Sequence, residues 1–142
     1  MKWLLLLGAA ALFSLVARAQ DPEIRAPFVT TPEDVVERML SLAGTGTSDY
    51  VIDLGSGDGR IVITAARIYG ANALGVEIDG KLVAESRENA RRERVDHRVE
   101  FVERDVMLTD LSRATVVTVY LLPALIDRLQ PKFLDELRPG TR

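Results

Sequence analysis

The sequence has no cysteine. That excludes disulfides, a thiolate nucleophile and cysteine-ligated zinc. It has one histidine, His97, in a loop-like segment before an apolar run and far from every glycine or carboxylate motif. It reads as a solvent-exposed loop residue. No excess of positive charge is present: the formal net charge is −3. A mildly acidic domain offers no electrostatic footprint for nucleic acid. The longest apolar block, Trp3 to Ala17, is 15 residues, short of the roughly 20 that span a bilayer comfortably. No internal repeat is visible.

What is present fits one domain at most: 142 residues, 47% of them hydrophobic. Met1–Ala19 reads as a secretory signal, with Lys2 as the charged start, the apolar block, and Ala17-Arg18-Ala19 as an A-x-A cleavage site. The expected location is therefore periplasmic or secreted. A membrane anchor retained through the same apolar segment is the alternative. Too few charges flank the block (Lys2 before it, Arg18 and Arg25 after) to orient such an anchor. Removal of the segment takes Lys2 and Arg18 with it and lowers the formal charge from −3 to −5.

Residues 20–30 form a polar, proline-bearing linker. In the domain that follows, 31–142, Thr31 is expected to cap a first helix, with Pro32 at its first position and Asp34 completing a capping-box-like pair. Strands are expected over Tyr50–Leu54, Ala73–Ile78, Val99–Glu103 and Thr115–Leu121. Helices fall over Arg60–Tyr69 and Lys81–Arg92, and after the fourth strand a helical pattern is interrupted by Pro131, which is expected to start a second short helix. The mixed-sign run Arg87–Arg94 reads as a solvated helix face. Strands alternating with helices predict an α/β fold, a parallel Rossmann-like sheet with helices on both faces.

The stretch Tyr50–Arg60 carries most of the functional signal. An apolar strand enters a loop with glycine at alternate positions, Gly55-Ser56-Gly57-Asp58-Gly59, and a helical pattern begins at once. Such a turn lets a small ligand approach backbone with no Cβ in the way. Glu77 follows Gly55 by 22 residues, at the end of a second apolar run, where a ribose-binding carboxylate is expected. A dinucleotide fingerprint would carry a third glycine where Arg60 stands. A pyrophosphate also disfavours a site that gathers Asp53, Asp58, Glu77, Asp79 and Asp105. That carboxylate set suits a ligand with a sulfonium and an amino group and no phosphate, namely S-adenosylmethionine.

These pieces resemble a class I S-adenosylmethionine-dependent methyltransferase. Thr31–Val36, the Asp53–Arg60 loop, Gly75–Asp79, Phe101–Val106 and Val116–Pro123 match in order. Within that superfamily residues 27–142 are similar to the small protein-lysine methyltransferases whose animal members act on mitochondrial proteins, and to their bacterial relatives. The resemblance implies that the Gly55–Gly59 loop, with Ser56 and Asp58, wraps the methionine moiety and that Asp53 orients its amino group. Glu77 would accept from both ribose hydroxyls, Asp105 would meet the adenine amino group, and Val106 would lie beside the ring. Asp58 and Asp79 serve equally well as turn and helix-cap residues. Tyr120 is the candidate for lining an acceptor channel. Tyr120-Leu121-Leu122-Pro123 lacks the amide or carboxylate of the (Asn/Asp)-Pro-Pro-Tyr box that adenine and glutamine methyltransferases carry.

The methyl acceptor is expected to be a protein lysine, on a membrane-associated protein. A small-molecule acceptor, or a cofactor-binding fragment without activity, are the competing readings. No nucleic-acid partner and no metal are expected. The sequence stops at Arg142, where a complete class I domain would begin its fifth strand, so it is expected to be truncated after the fourth.

Overall fold

A computed structural model describes residues 30–142. The expected export signal, Met1–Ala19, and the linker through residue 29 lie outside the described residues. In chain order the elements are α1 (Glu33–Leu42), β1 (Tyr50–Leu54), α2 (Arg60–Tyr69), β2 (Asn72–Glu77), α3 (Gly80–Arg92), β3 (Val99–Glu103), a 3-10 turn (Val106–Leu108), β4 (Val116–Val119) and α4 (Pro123–Glu136). All strand pairings are parallel, in the order β3-β2-β1-β4. The order reverses between β1 and β4, so the crevice outside their carboxyl ends is where such folds bind ligands.

Side chains that alternate along a strand fall on opposite faces, and the core divides accordingly. Val51, Ala73, Val99, Phe101 and Val116 join Val36, Leu40, Val62, Ala66, Val83 and Ala90 from α1, α2 and α3. Ile52, Leu54 and Val76 join Leu111, Ala114 and Leu129, with Phe133 and Leu137 packed against them. The sheet is therefore covered on both faces, as the alternation of elements predicts. β1, at the centre, is buried from Val51 to Leu54, while Asn72, Glu100 and Glu103 of β2 and β3 are exposed.

Three local expectations are corrected. Thr31 does not cap α1: the cap position is Pro32, with ψ 146° and no side-chain cap bond. Thr31 is instead buried, and its carbonyl accepts a 2.8 Å hydrogen bond from Arg60. Pro131 does not start a new helix; α4 runs through it. A proline removes one helical N–H and crowds the carbonyl four residues back. Here that residue, Asp127, is exposed, so solvent can take up the freed carbonyl. Leu129, Phe133 and Leu137 lie at fourfold spacing on the buried face and hold the helix together across the proline. The fourth strand is also shorter than expected, ending at Val119 and leaving Tyr120 beyond it.

β4 is an outer strand of the sheet formed by the described residues. Arg142 lies along its free side. The Arg142 N–H donates to the Thr115 carbonyl at 3.1 Å and its own carbonyl accepts from Val117 N–H at 2.9 Å, the pattern of a parallel bridge. The Arg142 guanidinium pairs with the buried Asp49 carboxylate and also donates to the Ala43 carbonyl at 2.8 Å.

Candidate functional site

Parallel register puts the carboxyl ends of all strands on one side and sets Asp53 between Gly75 of β2 and Thr118 of β4. Asp53 is only 2% exposed. Its Oδ1 accepts from the Thr118 hydroxyl at 2.7 Å, while Oδ2 is buried with no hydrogen-bond partner among the described residues. Burial pushes this carboxyl up from 3.8 to about 7; the Thr118 hydroxyl opposes that rise, and the nearby Glu77 and Asp58 carboxylates add to it. A buried acceptor left unmet is costly. At this position, two residues before the first glycine of the loop, it points to a cationic ligand group.

The loop is shaped by bonds to β2. Gly55 N–H and Ser56 N–H both donate to the Val76 carbonyl at 2.9 Å, and Gly59 N–H closes the turn on the Ser56 carbonyl at 2.9 Å. Gly55 and Gly59 have φ of 82° and 83°, in the left-handed region. Both are also approached closely: a Cβ on Gly55 would lie 2.6 Å from Leu121 Cδ2, and one on Gly59 would lie 2.7 Å from the Phe101 ring. Glu77, at the end of β2, serves the same loop. Its Oε2 accepts from Gly57 N–H at 2.9 Å, and Oε1 accepts from Ile78 and Asp79 N–H at 2.8 and 3.0 Å. The expected ribose carboxylate is thus held at the loop by three backbone donors.

The remaining candidates separate. Asp58 forms a two-oxygen pair with Arg60, Nε and Nη2 to its oxygens at 3.0 and 2.6 Å, and so ties the loop through Arg60 to Thr31. Asp79 caps α3, accepting from Lys81 N–H at 2.8 Å. Asp105 caps the 3-10 turn in the same way, from Met107 N–H at 2.8 Å, and is exposed beyond β3; Val106 is half-buried against the second core cluster. Tyr120 is 56% exposed just past β4. Ser56 is buried, and its hydroxyl has no hydrogen-bond partner among the described residues. His97 is exposed in the loop before β3. Among the described residues no cluster of three or more His, Cys, Asp or Glu could hold a metal.

A family model for the ANTKMT methyltransferase domain matches residues 53–142. A protein-lysine N-methyltransferase of Saccharolobus islandicus is 45% identical over 117 residues, 82% of this chain and 73% of that protein. The chain belongs to this S-adenosylmethionine-dependent methyltransferase family. An adenine nucleotide translocase lysine N-methyltransferase of Mus musculus is 34% identical over 84% of this chain and 52% of its own length. A crystal structure described as an RNA methyltransferase from Salinibacter ruber, in complex with S-adenosyl-L-homocysteine, superimposes with a TM-score of 0.79 at 51% identity, covering 80% of this chain and 74% of that one. The methyltransferase domain thus spans about three quarters of two of these relatives and about half of the third.

Sequence reasoning missed the side chains that hold this methyltransferase loop from behind. Thr118 stands among valines directly opposite Asp53 and donates its hydroxyl hydrogen bond to the Asp53 carboxylate. Ser86 and Asn89 donate to the Gly57 and Asp58 carbonyls. Asn89 falls in the run read as a solvated face. Its charged neighbours masked it, although its spacing of three from Ser86 puts the pair on one side of α3.

Proposed function

We propose that this domain binds S-adenosylmethionine across the carboxyl ends of β1, β2 and β3 and transfers the methyl group to the ε-amine of a protein lysine. The single observation that carries the site is the buried Asp53 oxygen without a partner beside the left-handed glycine loop. It fits the cofactor's ammonium. The carboxylates of Asp53, Asp58 and Glu77 crowd the same place, which fits a phosphate-free cation and opposes a pyrophosphate. Glu77, fixed by three N–H donors, presents its remaining acceptor capacity to ribose hydroxyls.

When bound, the cofactor supplies a methyl group already activated by its sulfonium. The protein's part is then positioning and electrostatics. Asp53 neutralises the ammonium end, the Gly55–Gly59 backbone orients the methionine arm, and Tyr120 sits at the rim where an acceptor side chain would enter. The lysine must arrive uncharged, and desolvation as the acceptor docks lowers an amine's pKa toward that state.

The lysine acceptor is supported by the relatives named for protein-lysine and adenine nucleotide translocase lysine methylation. A membrane-associated acceptor agrees with the Met1–Ala19 segment, read as an export signal or an anchor. RNA is the second reading, favoured by the description of the Salinibacter structure. The net charge of −3 and the carboxylate-rich site argue against it. The test is to incubate the protein with methyl-labelled S-adenosylmethionine and separate membrane-protein and RNA extracts. Label recovered as methyl-lysine supports the proposal; label confined to RNA overturns the acceptor. Titration with NAD beside S-adenosylmethionine tests the cofactor, and tighter binding of NAD overturns it.

A further inference from the structure

The glycine loop rests on α3. Ser86 Oγ donates to the Gly57 carbonyl at 2.8 Å, and Asn89 Nδ2 donates to the Asp58 carbonyl at 2.9 Å. Ser86 is fully buried, and its Cβ lies 3.0 Å from where a Cβ on Gly59 would stand. Helix and loop are therefore in direct contact. A trans peptide points its carbonyl and its N–H in opposite directions. Drawing the Gly57 carbonyl toward α3 sends Asp58 N–H away from it. Drawing the Asp58 carbonyl the same way sends Gly59 N–H away, onto the Ser56 carbonyl at 2.9 Å. Glu77 holds Gly57 N–H.

We infer that Ser86 and Asn89 are positioning residues for the cofactor loop, fixing the 57–58 and 58–59 peptide planes so that the loop keeps its ligand-binding shape. The inference rests on the cofactor reading given above. Ser86 has a single hydroxyl proton and two acceptors within reach, the Gly57 carbonyl and, at 2.7 Å, the Leu82 carbonyl one turn back in α3. The helical N–H of residue 86 satisfies Leu82 in any case. Loss of the hydroxyl consequently strips the loop carbonyl and spares the helix.

The test uses Ser86→Ala, Asn89→Ala and Asn89→Asp, with S-adenosyl-L-homocysteine as the titrated ligand. Asn89→Asp keeps the side-chain shape but turns a carboxylate oxygen toward the Asp58 carbonyl, so it is expected to be the most damaging. The dissociation constant should rise about tenfold for Asn89→Asp and about fivefold for Ser86→Ala, the range of one lost hydrogen bond. The KM for the methyl acceptor, measured at saturating cofactor, should stay unchanged. A general structural role would instead degrade both parameters together. Folded variants that bind within about twofold of the parent overturn the inference. Should Asn89→Asp fail to fold, Ser86→Ala decides alone. If the parent itself does not bind S-adenosyl-L-homocysteine, the cofactor reading falls; if it binds and the variants match it, only the positioning role falls.

Discussion

Asp53→Asn should make the ligand-free domain more stable above neutral pH and at the same time weaken cofactor binding. Burial lifts the Asp53 carboxyl from 3.8 to about 7 in the folded state. Between those values the folded protein holds a proton that the unfolded chain has released. The contribution to stability is therefore fully present below about pH 4 and is lost as pH rises toward 7. At about 1.4 kcal/mol per pH unit the whole loss has an upper bound of about 4 kcal/mol. Asparagine keeps an oxygen for the Thr118 hydroxyl and never ionises, so this slope should vanish. The assay is urea unfolding of both proteins at pH 5, 6, 7 and 8, with the gap between them widening from pH 5 to 7 and levelling off by pH 8. Binding supplies the reciprocal readout. A cationic ligand group expels the proton from Asp53, so the parent should release close to one proton on binding at pH 6 and bind more tightly as pH rises through 7. Calorimetry in two buffers of different ionisation enthalpy counts that proton. Parallel unfolding curves, or binding with no proton released at pH 6, would refute the assignment of a buried, ligand-facing carboxyl.

Glu77→Ala should weaken cofactor binding by about 1–3 kcal/mol, since it removes a ribose acceptor and frees Gly57 N–H together; isothermal titration checks it, and unchanged affinity removes Glu77 from the site. Gly59→Ala forces a side chain into the left-handed region against Phe101 and Ser86, and should cost more than about 1–3 kcal/mol of stability, measurable by chemical denaturation. Tyr120→Ala should raise the acceptor KM while leaving S-adenosyl-L-homocysteine affinity unaltered. A changed cofactor affinity there would move Tyr120 out of the acceptor channel.

The local order of elements was legible because each was marked by its own chemistry. β-branched runs bounded by turn residues marked the strands, Gly59 and Gly70 bracketed α2, and Asp79 stood one residue before α3. The cofactor class was legible for a similar reason: the missing third glycine at Arg60 and the spacing of Glu77 are properties of the linear chain. The path of α4 was not. Pro131 argued for a break on local grounds, and only the burial of Leu129 with Phe133 and Leu137 packed beside it shows why the helix continues.

The site's electrostatics likewise required tertiary structure. Asp53 and Thr118 are separated by 65 positions and meet only because β1 pairs with β4. That pairing, together with burial, determines that one carboxyl oxygen has a partner and the other has none. Ser86 and Asn89 looked like ordinary helix residues until α3 packed on the loop. Sequence by itself determined which residue types stand at the strand ends and what ligand they suit, because spacing along the chain encodes the strand–turn–helix unit. Only the tertiary structure decided which of those groups are buried, unpaired or braced, because desolvation and hydrogen bonding between distant segments exist only once the sheet has assembled.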